Sequence, residues 1–271
     1  RISKEHFTRI LNHIAAQGDD ATAEISTATV EEALAAFDIA RATFERVSFD
    51  LIYARQNQTR QGWRDELTQA LSMSIDHLSL YQLTIEGGTA FGDRYAAGKL
   101  RGLPDEDRAA DMFELTHELC DQHGFPAYEV SNHAKSGSES IHNKIYWKYG
   151  DYVGIGPGAH GRLTLNGQKF ATETHLTPGR WLKSVNENAS GESERTLLSS
   201  EDRVTEFLLM GLRLNEGVDL GRLPDAAVQK LGHKIKELTD SGFIVRSGGL
   251  LTATSAGRPV LNGVLRHLLD D

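Results

Sequence analysis

Cysteine is almost absent from this sequence, because only one residue of 271, Cys120, is a cysteine. A single thiol cannot form an internal disulfide, which excludes the class of disulfide-stapled secreted domains and favours a reducing, cytoplasmic setting. Cys120 lies in a helical pattern, so we expect a buried structural thiol and not a nucleophile.

Long apolar segments and an excess of positive charge are lacking as well. No apolar run approaches the roughly 18 residues that are needed to cross a bilayer. The formal net charge of -9 disfavours a nucleic-acid-binding protein, because a phosphate backbone attracts a basic surface. With 39% apolar and 25% charged residues, the composition indicates an ordinary globular protein with one large or two ordinary domains.

Several common catalytic and metal-binding signatures are also missing. The sequence contains no G-x-S-x-G nucleophile elbow. Its 11 histidines include no compact metal-ligand spacing, and His117 with Cys120 or His133 with His142 are the nearest combinations. The segment GIGPGAHG matches G-x-G-x-x-G only superficially, because no helix is predicted after it, and a dinucleotide site is therefore disfavoured.

What the first half of the chain does contain is an alternation of strand and helix patterns. Strands are predicted at 23–26, 46–53, 75–84 and 125–133, and helices at 2–16, from Thr29 onwards, at 61–72 and at 104–123. This order predicts α/β units around a parallel sheet. Ligands of such sheets gather beyond the carboxyl ends of the strands.

Polar side chains lie at or near these predicted strand ends. They are Thr84, Glu129, Asn132 and His133. Asp50 interrupts a strand that is otherwise nearly all apolar, and a carboxylate in such a strand needs a partner or a ligand. We therefore expect a single site at the strand ends.

The second half of the chain has a different character. A hairpin is predicted at 163–170 around Asn166-Gly167, and a helix at 178–186. The polar segment 188–194 is a candidate boundary. Two helices (201–214 and 225–241), a small hairpin (243–252) and a last helix (255–269) follow, which is a winged-helix-like order. Because this part is only modestly basic, a structural or docking role is favoured over DNA binding.

The segment 140–161, SIHNKIYWKYGDYVGIGPGAHG, is the densest in aromatic residues, histidines and glycines. Composition alone favours a tight turn and a glycine-rich strand that packs into the core. The alternative is a wall of a site for a flat, partly polar ligand, because Tyr and Trp offer an apolar face with one polar group each.

Several segments resemble one known family. DLIYARQNQT, which starts at Asp50, resembles DLIYGLPGQT of the radical S-adenosylmethionine (SAM) family that contains oxygen-independent coproporphyrinogen III oxidase. Four further segments occur in the family's order and are closer to its HemW branch of haem chaperones: DHLSLYQLTIEGGTAF, YEVSNHA, HNKIYW and GIGPGAHG. The characteristic HNxxYW element of this branch is complete, with His142, Asn143, Tyr146 and Trp147.

The resemblance implies a fold. The family fold is a partial parallel (β/α)6-type radical SAM barrel, which we expect at 1–162 and incomplete in this chain. An α+β, winged-helix-like domain of the HemN/HemW type is expected at 163–271.

The resemblance also implies ligand contacts. Asp50 would bind the ribose or amino acid part of SAM, and Thr84 and His160 would add further contacts. The four HNxxYW residues would form or adjoin a haem site, because histidine is a good axial ligand of haem iron and aromatic rings can flank the macrocycle. The motif leaves the iron ligand open, and it assigns no catalytic residue.

Two elements of the family are absent from the sequence. The family holds a [4Fe-4S] cluster on a C-x3-C-x2-C loop, which one cysteine cannot replace. Its glycine motif that cradles SAM is missing too, and the step from Ser26 to Thr29 is abrupt for a strand followed by a helix. We therefore expect the sequence to be part of a longer protein, with the cluster region and a stretch between Ser26 and Thr29 left out.

The resemblance leaves two functions open. The first is a cytoplasmic haem chaperone that delivers haem to respiratory proteins, with a weak membrane-surface association through those partners. In that protein SAM and the [4Fe-4S] cluster have a supporting role. The second is a coproporphyrinogen III oxidase, an oxidoreductase of porphyrin biosynthesis that uses radical SAM chemistry. The HNxxYW element favours the chaperone, and no nucleic-acid partner is expected.

Overall fold

The structure, a computed structural model, describes residues 27–270. The predicted elements at 2–16 and 23–26 lie outside the described residues, as does one side of the abrupt step at Ser26. No helix in the described part of the chain is both long and apolar enough to span a membrane.

Helices and strands alternate in the first half, as the sequence predicts. In chain order they are α1 (Thr27–Thr43), β1 (Asp50–Tyr53), α2 (Arg60–Met73), β2 (His77–Gln82), α3 (Ala90–Ala96), α4 (Glu106–Gln122), β3 (Asn132–Ala134) and α5 (Ile141–Trp147). The side chains of Thr59, Thr89 and Asp105 each accept a backbone N–H in the first turn of the helix that follows. Helix α3 is not predicted from the sequence.

The first sheet has the order β1-β2-β3 and is only partly parallel. β1 and β2 run parallel, whereas β3 is antiparallel to β2. The prediction of a parallel strand at 125–133 is therefore wrong. The chain turns back on itself, because the Glu129 carboxylate accepts hydrogen bonds from the Ser131 N–H and the Asn132 amide. Such local bonds compete with an extended strand.

The second half consists of two antiparallel sheets and the helices beside them. Its elements are β4 (His160–Leu165), β5 (Gln168–Thr174), α6 (Pro178–Asn188), β6 (Glu192–Leu197), α7 (Ser200–Gly211), β7 (Val218–Asp219), α8 (Asp225–Asp240), β8 (Ile244–Ser247), β9 (Leu250–Ala253) and α9 (Leu261–Leu269). The β4–β5 turn confirms the hairpin prediction, because Asn166 and Gly167 have φ values of 51° and 78°. β6 pairs with β5, so the polar segment 188–194 continues a sheet.

Two hydrophobic cores hold the described chain together. The first lies between α2, β1, β2 and α4, and its centre includes Trp63, Leu67, Leu115 and Cys120. The Trp63 indole donates to Thr116 Oγ1 at 2.8 Å. Cys120 is fully buried, as the sequence predicts, and burial raises the pKa of its thiol to about 12. Such a thiol is a packing group.

The second core lies between α7, α8, the β8–β9 hairpin and α9. The segment 127–130 connects it to the first half of the chain. Glu129 forms a β-bridge with Leu214, the Asn215 N–H donates to Tyr128 O at 3.0 Å, and Val130 packs against the second core. The carboxyl ends of β1 and β2 therefore face residues from the C-terminal half.

Candidate functional site

A cleft of about 1190 Å³ opens beyond the carboxyl ends of β1 and β2. Its wall includes Tyr81 and Thr84 from the first half, and Arg213 and Arg258 from the second half. This is the edge of the sheet at which ligands gather in α/β folds. Of the seven residues that the sequence assigns to the site, only Thr84 lines this cleft.

Asp50 lies at the other end of its strand. It pairs in register with Ser79, and Ser79 pairs with Asn132, so the three side chains share one face of the sheet. Thr84 follows Ser79 by five residues, which is about 16 Å of extended chain. β1 begins at Asp50 and not at residue 46, so Asp50 is the first residue of its strand, whereas Thr84 lies just past the carboxyl end of β2.

Asp50, Ser79 and Asn132 form a row across the sheet, and from Ser79 onwards this row is a hydrogen-bonded series that ends at Glu129. Ser79 Oγ donates to Asn132 Oδ1 at 2.8 Å, and the Asn132 amide donates to the Glu129 carboxylate. Asp50 is exposed, whereas Glu129 is fully buried. The row therefore leads from solvent to a buried carboxyl group.

The HNxxYW element forms helix α5. Ser140 Oγ accepts the Asn143 N–H at 3.3 Å and caps its first turn. The His142 side chain is exposed, and its ring packs edge-on against Tyr146 at 4.7 Å between ring centroids. Tyr146 in turn contacts Tyr152 at 4.2 Å. Within residues 27–270, His142 has no hydrogen-bond or ion-pair partner, so its ring nitrogens are available to a ligand.

Asn143 joins α5 to the first sheet through buried polar groups. Its Nδ2 donates to the Tyr128 hydroxyl at 3.2 Å, and this hydroxyl lies 2.9 Å from His77 Nε2. The other ring nitrogen of His77 lies 2.7 Å from Ser48 Oγ. Burial lowers the pKa of His77 and raises that of Tyr128 to about 12, so both side chains are neutral at pH 7. This series of contacts orients Asn143.

Trp147 joins α5 to the cleft. The guanidinium of Arg213 lies 5.8 Å from the centre of a Trp147 ring, which is a cation–π distance. Because Arg213 also lines the cleft, the last residue of the HNxxYW element supports the cleft wall. Arg213 is missing from the sequence-based prediction. The sequence does contain an indication of its role, because Arg213 is the single charged residue in the apolar run FLLMGLRL. A charge in such a run needs a partner or a ligand.

Behind this wall lies a cluster of ionisable groups, in which Glu129 and His133 are buried and His117 is partly buried. One carboxylate oxygen of Glu129 and both ring nitrogens of His133 have no hydrogen-bond partner within the described chain. The His133 ring packs against His117 at 5.2 Å. Burial raises the pKa of Glu129, and it lowers the pKa of His133 to about 3 and that of His117 to about 4. Both imidazoles are therefore neutral at pH 7.

The GIGPGAHG segment packs against itself. A Cβ atom on Gly154 would lie 2.5 Å from the backbone oxygen of His160, so this position requires glycine. His160 itself is exposed at the start of β4, with its Nδ1 3.6 Å from a carboxylate oxygen of Glu173. The glycines of this segment allow a close backbone approach, and it is made to the chain's own backbone.

The residues present differ in how well they suit the cofactors that the resemblance implies. Cys120 is the only thiol of the sequence and is buried, so this chain does not fit a [4Fe-4S] cluster. No group of three His, Cys, Asp or Glu side chains among residues 27–270 is placed to hold a metal ion. By contrast, the exposed imidazole of His142, packed edge-on against the ring of Tyr146, fits haem.

Comparison with known proteins indicates the same family as the sequence motifs. The family model of the HemN C-terminal domain matches residues 198–260. The mouse "radical S-adenosyl methionine domain-containing protein 1, mitochondrial" is 39% identical over 93% of this chain and 60% of its own length. The "heme chaperone HemW" of Haemophilus influenzae is 34% identical over 89% of this chain and 61% of its own length.

The chain is a relative of the HemW-type radical SAM proteins. This confirms the resemblance that the motifs indicate. The chain spans less than two thirds of the length of these curated relatives, because it covers 60% of the mouse protein and 61% of the Haemophilus protein. Among solved structures, Escherichia coli coproporphyrinogen III oxidase (HemN), a radical SAM enzyme, matches with a TM-score of 0.69 and 17% identity. The match covers 96% of this chain and 66% of that one. The fold is therefore an α/β fold similar to that of HemN.

Proposed function

We propose that the chain is the haem-binding part of a chaperone that delivers haem to respiratory proteins. Helix α5 carries the proposal, because it presents His142 to solvent without a hydrogen-bond partner among the described residues. An imidazole in this state can ligate haem iron without first breaking a contact. The relatives named heme chaperone HemW support this choice.

In this proposal the residues of α5 have separate roles. His142 ligates the iron, and Tyr146, which packs edge-on against its ring, flanks the macrocycle. Asn143 is held by the Tyr128 hydroxyl and fixes the orientation of the helix. Trp147 contacts Arg213 and connects the haem-binding helix to the cleft.

SAM and a [4Fe-4S] cluster are proposed for the whole protein, in a supporting role. Thr84 on the cleft wall is the proposed SAM contact that the geometry supports, whereas Asp50, at the other end of β1, and the exposed His160 are proposed on the resemblance alone. The cluster has to be held by residues other than those of this chain, because Cys120 is the only thiol.

We also propose a division of the fold into two domains. We assign residues 1–162 to a partial (β/α)6 barrel, because β1, α2 and β2 form a parallel β-α-β unit. Residues 163–271 are assigned to a winged-helix-like domain of the HemN/HemW type, which contains the segment matched by the HemN C-terminal family. Limited proteolysis that cuts before β4 and leaves a stable C-terminal fragment would support this division.

The proposed setting is a reducing compartment, with haem-accepting respiratory proteins as partners and a weak membrane-surface association through them. We propose the cytoplasm as the compartment. The mitochondrion is the alternative, because the zebrafish and mouse relatives are named as mitochondrial. Cell fractionation distinguishes the two compartments.

The experiment that tests the function is a titration of the protein with haem, followed by the Soret band. The proposal predicts saturable binding of one haem. An anaerobic assay on coproporphyrinogen III with SAM and a reductant is run in parallel, because the alternative function is that of a coproporphyrinogen III oxidase. Turnover of the porphyrinogen without stable haem binding would reverse the choice between the two functions.

A further inference from the structure

We propose that Arg213 and Arg258 form a carboxylate-binding site in the cleft, and that the carboxylates are the propionates of haem. This inference rests on the proposed function and adds to it the residues that recognise the acidic edge of the ligand. Both arginines come from the C-terminal half, and both line the cleft that also contains Thr84.

The two guanidinium groups retain hydrogen-bonding capacity for a ligand. Arg213 donates to Leu209 O and, at 3.5 Å, to Asn262 Oδ1. Arg258 donates to Leu214 O at 3.4 Å. Each guanidinium carries five N–H donors in a planar fork that suits a carboxylate, so most donors remain unused.

The positive charge of this pair has no carboxylate at ion-pair distance in the described chain. Neither arginine forms an ion pair within residues 27–270. The acid that acts on both is Glu129, and one of its oxygens already accepts from Asn132 and Ser131. Burial raises the pKa of Glu129 and lowers the pKa of both arginines. A ligand anion would therefore relieve an unfavourable burial of positive charge.

The position of the pair next to α5 favours propionates. Arg213 faces the ring of Trp147, and Trp147 belongs to the same short helix as His142. In this proposal a planar ligand bound at His142 extends its acidic edge along α5 towards the arginines. The cleft volume of about 1190 Å³ exceeds the range of roughly 300–1,000 Å³ that is usual for ligand pockets, so the acidic edge of a macrocycle has room to enter the cleft.

A second ligand could supply the same chemistry, because SAM carries one carboxylate. The test therefore uses three probes: haem, haem dimethyl ester (in which both propionates are esterified) and SAM. The proteins are the wild type, Arg213→Gln, Arg258→Gln and the control Arg266→Gln, which changes an exposed arginine of α9. Binding of the dimethyl ester also reports whether a variant is correctly folded.

We expect each cleft variant to bind haem about tenfold more weakly than the wild type, which corresponds to about 1.4 kcal/mol. Affinity for the dimethyl ester should be the same in all four proteins, and Arg266→Gln should match the wild type throughout. Equal weakening towards haem and its ester would overturn the proposal, because the arginines would then act on the fold. Unchanged affinity for haem and for SAM would overturn it as well.

The remaining outcomes distinguish haem from SAM as the ligand, and the arginine site from the proposed haem-binding function. If only SAM binding weakens in the cleft variants, the arginines bind the SAM carboxylate, and the assignment to propionates is wrong. If the wild type binds neither porphyrin, the proposed function fails, and the SAM titration alone decides whether the arginine pair is a carboxylate site.

Discussion

Two histidines in the cluster behind the cleft wall have pKa values far below that of an exposed imidazole. Burial lowers the pKa of His133 to about 3 and that of His117 to about 4, against about 6.5 in an unfolded chain. Below pH 6.5 the unfolded chain therefore binds protons that the folded chain cannot bind. The stability that these neutral imidazoles contribute is present above pH 6.5 and is lost as the pH falls towards their folded pKa values.

We predict that His133→Leu makes the protein less sensitive to acid. Neither ring nitrogen of His133 has a partner among residues 27–270, so the substitution breaks no hydrogen bond of the described structure. Between pH 7 and pH 5 the variant should lose about 2 kcal/mol less unfolding free energy than the wild type, at about 1.4 kcal/mol per pH unit below 6.5. Urea unfolding at both pH values measures the difference.

The control for this prediction is His233→Leu, because that side chain is 82% exposed. It should keep the pH dependence of the wild type. The raised pKa of Glu129 has the opposite effect, since its contribution is lost as the pH rises through the folded pKa, but it is common to all three proteins. An unchanged slope in His133→Leu would contradict the burial of a neutral imidazole.

At the scale of elements, the loop from Gly154 to Gly161 is held by contact of its own backbone. Gly154→Ala should destabilise the protein by about 1–3 kcal/mol, because the new Cβ would lie within 3.0 Å of three backbone atoms of His160. Gly232→Ala in α8 is the matched control. Nothing lies within 4 Å of its Cβ position, and alanine favours a helix interior by about 1 kcal/mol.

Urea unfolding of the two alanine variants measures both effects. The loop variant should unfold at a lower urea concentration than the wild type, and the helix variant at a higher one. If Gly154→Ala had the stability of the wild type, the loop would not have the self-packed conformation described above.

The sequence predicts elements well where periodicity or turn chemistry is decisive. The helices at 61–72 and 104–123 and the hairpin at Asn166-Gly167 are confirmed to within a few residues. The direction of β3 could not be predicted, because it depends on the side-chain hydrogen bonds of Glu129, which no periodicity encodes. The same turn places Val130 against the second core.

The loop after β1 shows a further difference between motif and structure. The family segment DLIYGLPGQT has glycine at two positions where this chain has Ala54 and Asn57. Both residues have φ values of 59°, so the backbone keeps a left-handed conformation that favours glycine. Asparagine tolerates this conformation, whereas Ala54 is strained by about 1–2 kcal/mol. The motif therefore predicts the backbone even where the residue has changed.

The candidate site was predictable only in its parts. The sequence indicates Thr84 and the HNxxYW residues, and the structure places Thr84 on the cleft and α5 beside Arg213. It could not indicate that Arg213 and Arg258 complete the wall, because they lie more than 100 residues along the chain from β2. Long-range contacts of this kind depend on tertiary packing.

At the scale of the whole molecule, the two cores are coupled through the segment 127–130. Asn215 contributes two hydrogen bonds to this contact, from its backbone N–H to Tyr128 O and from its side chain to Ala127 O. We predict that Asn215→Ala weakens the coupling of the first sheet to the C-terminal half. Amides of β1 and β2 should then exchange with solvent faster than in the wild type, by about fivefold for a loss of about 1 kcal/mol.

Hydrogen exchange resolved by residue measures this effect. Amides of α8 and α9 should keep their wild-type protection, because the second core is not changed. Asn188→Ala is a suitable control, since within residues 27–270 its side chain bonds only to Ser184 of its own helix. A uniform loss of protection in both halves would show that the molecule unfolds as a single cooperative unit.

The central claim concerns haem and helix α5, and titration of His142→Ala with haem tests it most directly. His267→Ala is the control, because its histidine lies on α9 and pairs with Glu237. We predict at least tenfold weaker haem binding and a shifted Soret band for His142→Ala, and wild-type behaviour for the control. A His142→Ala protein with the affinity and Soret band of the wild type would contradict the claim.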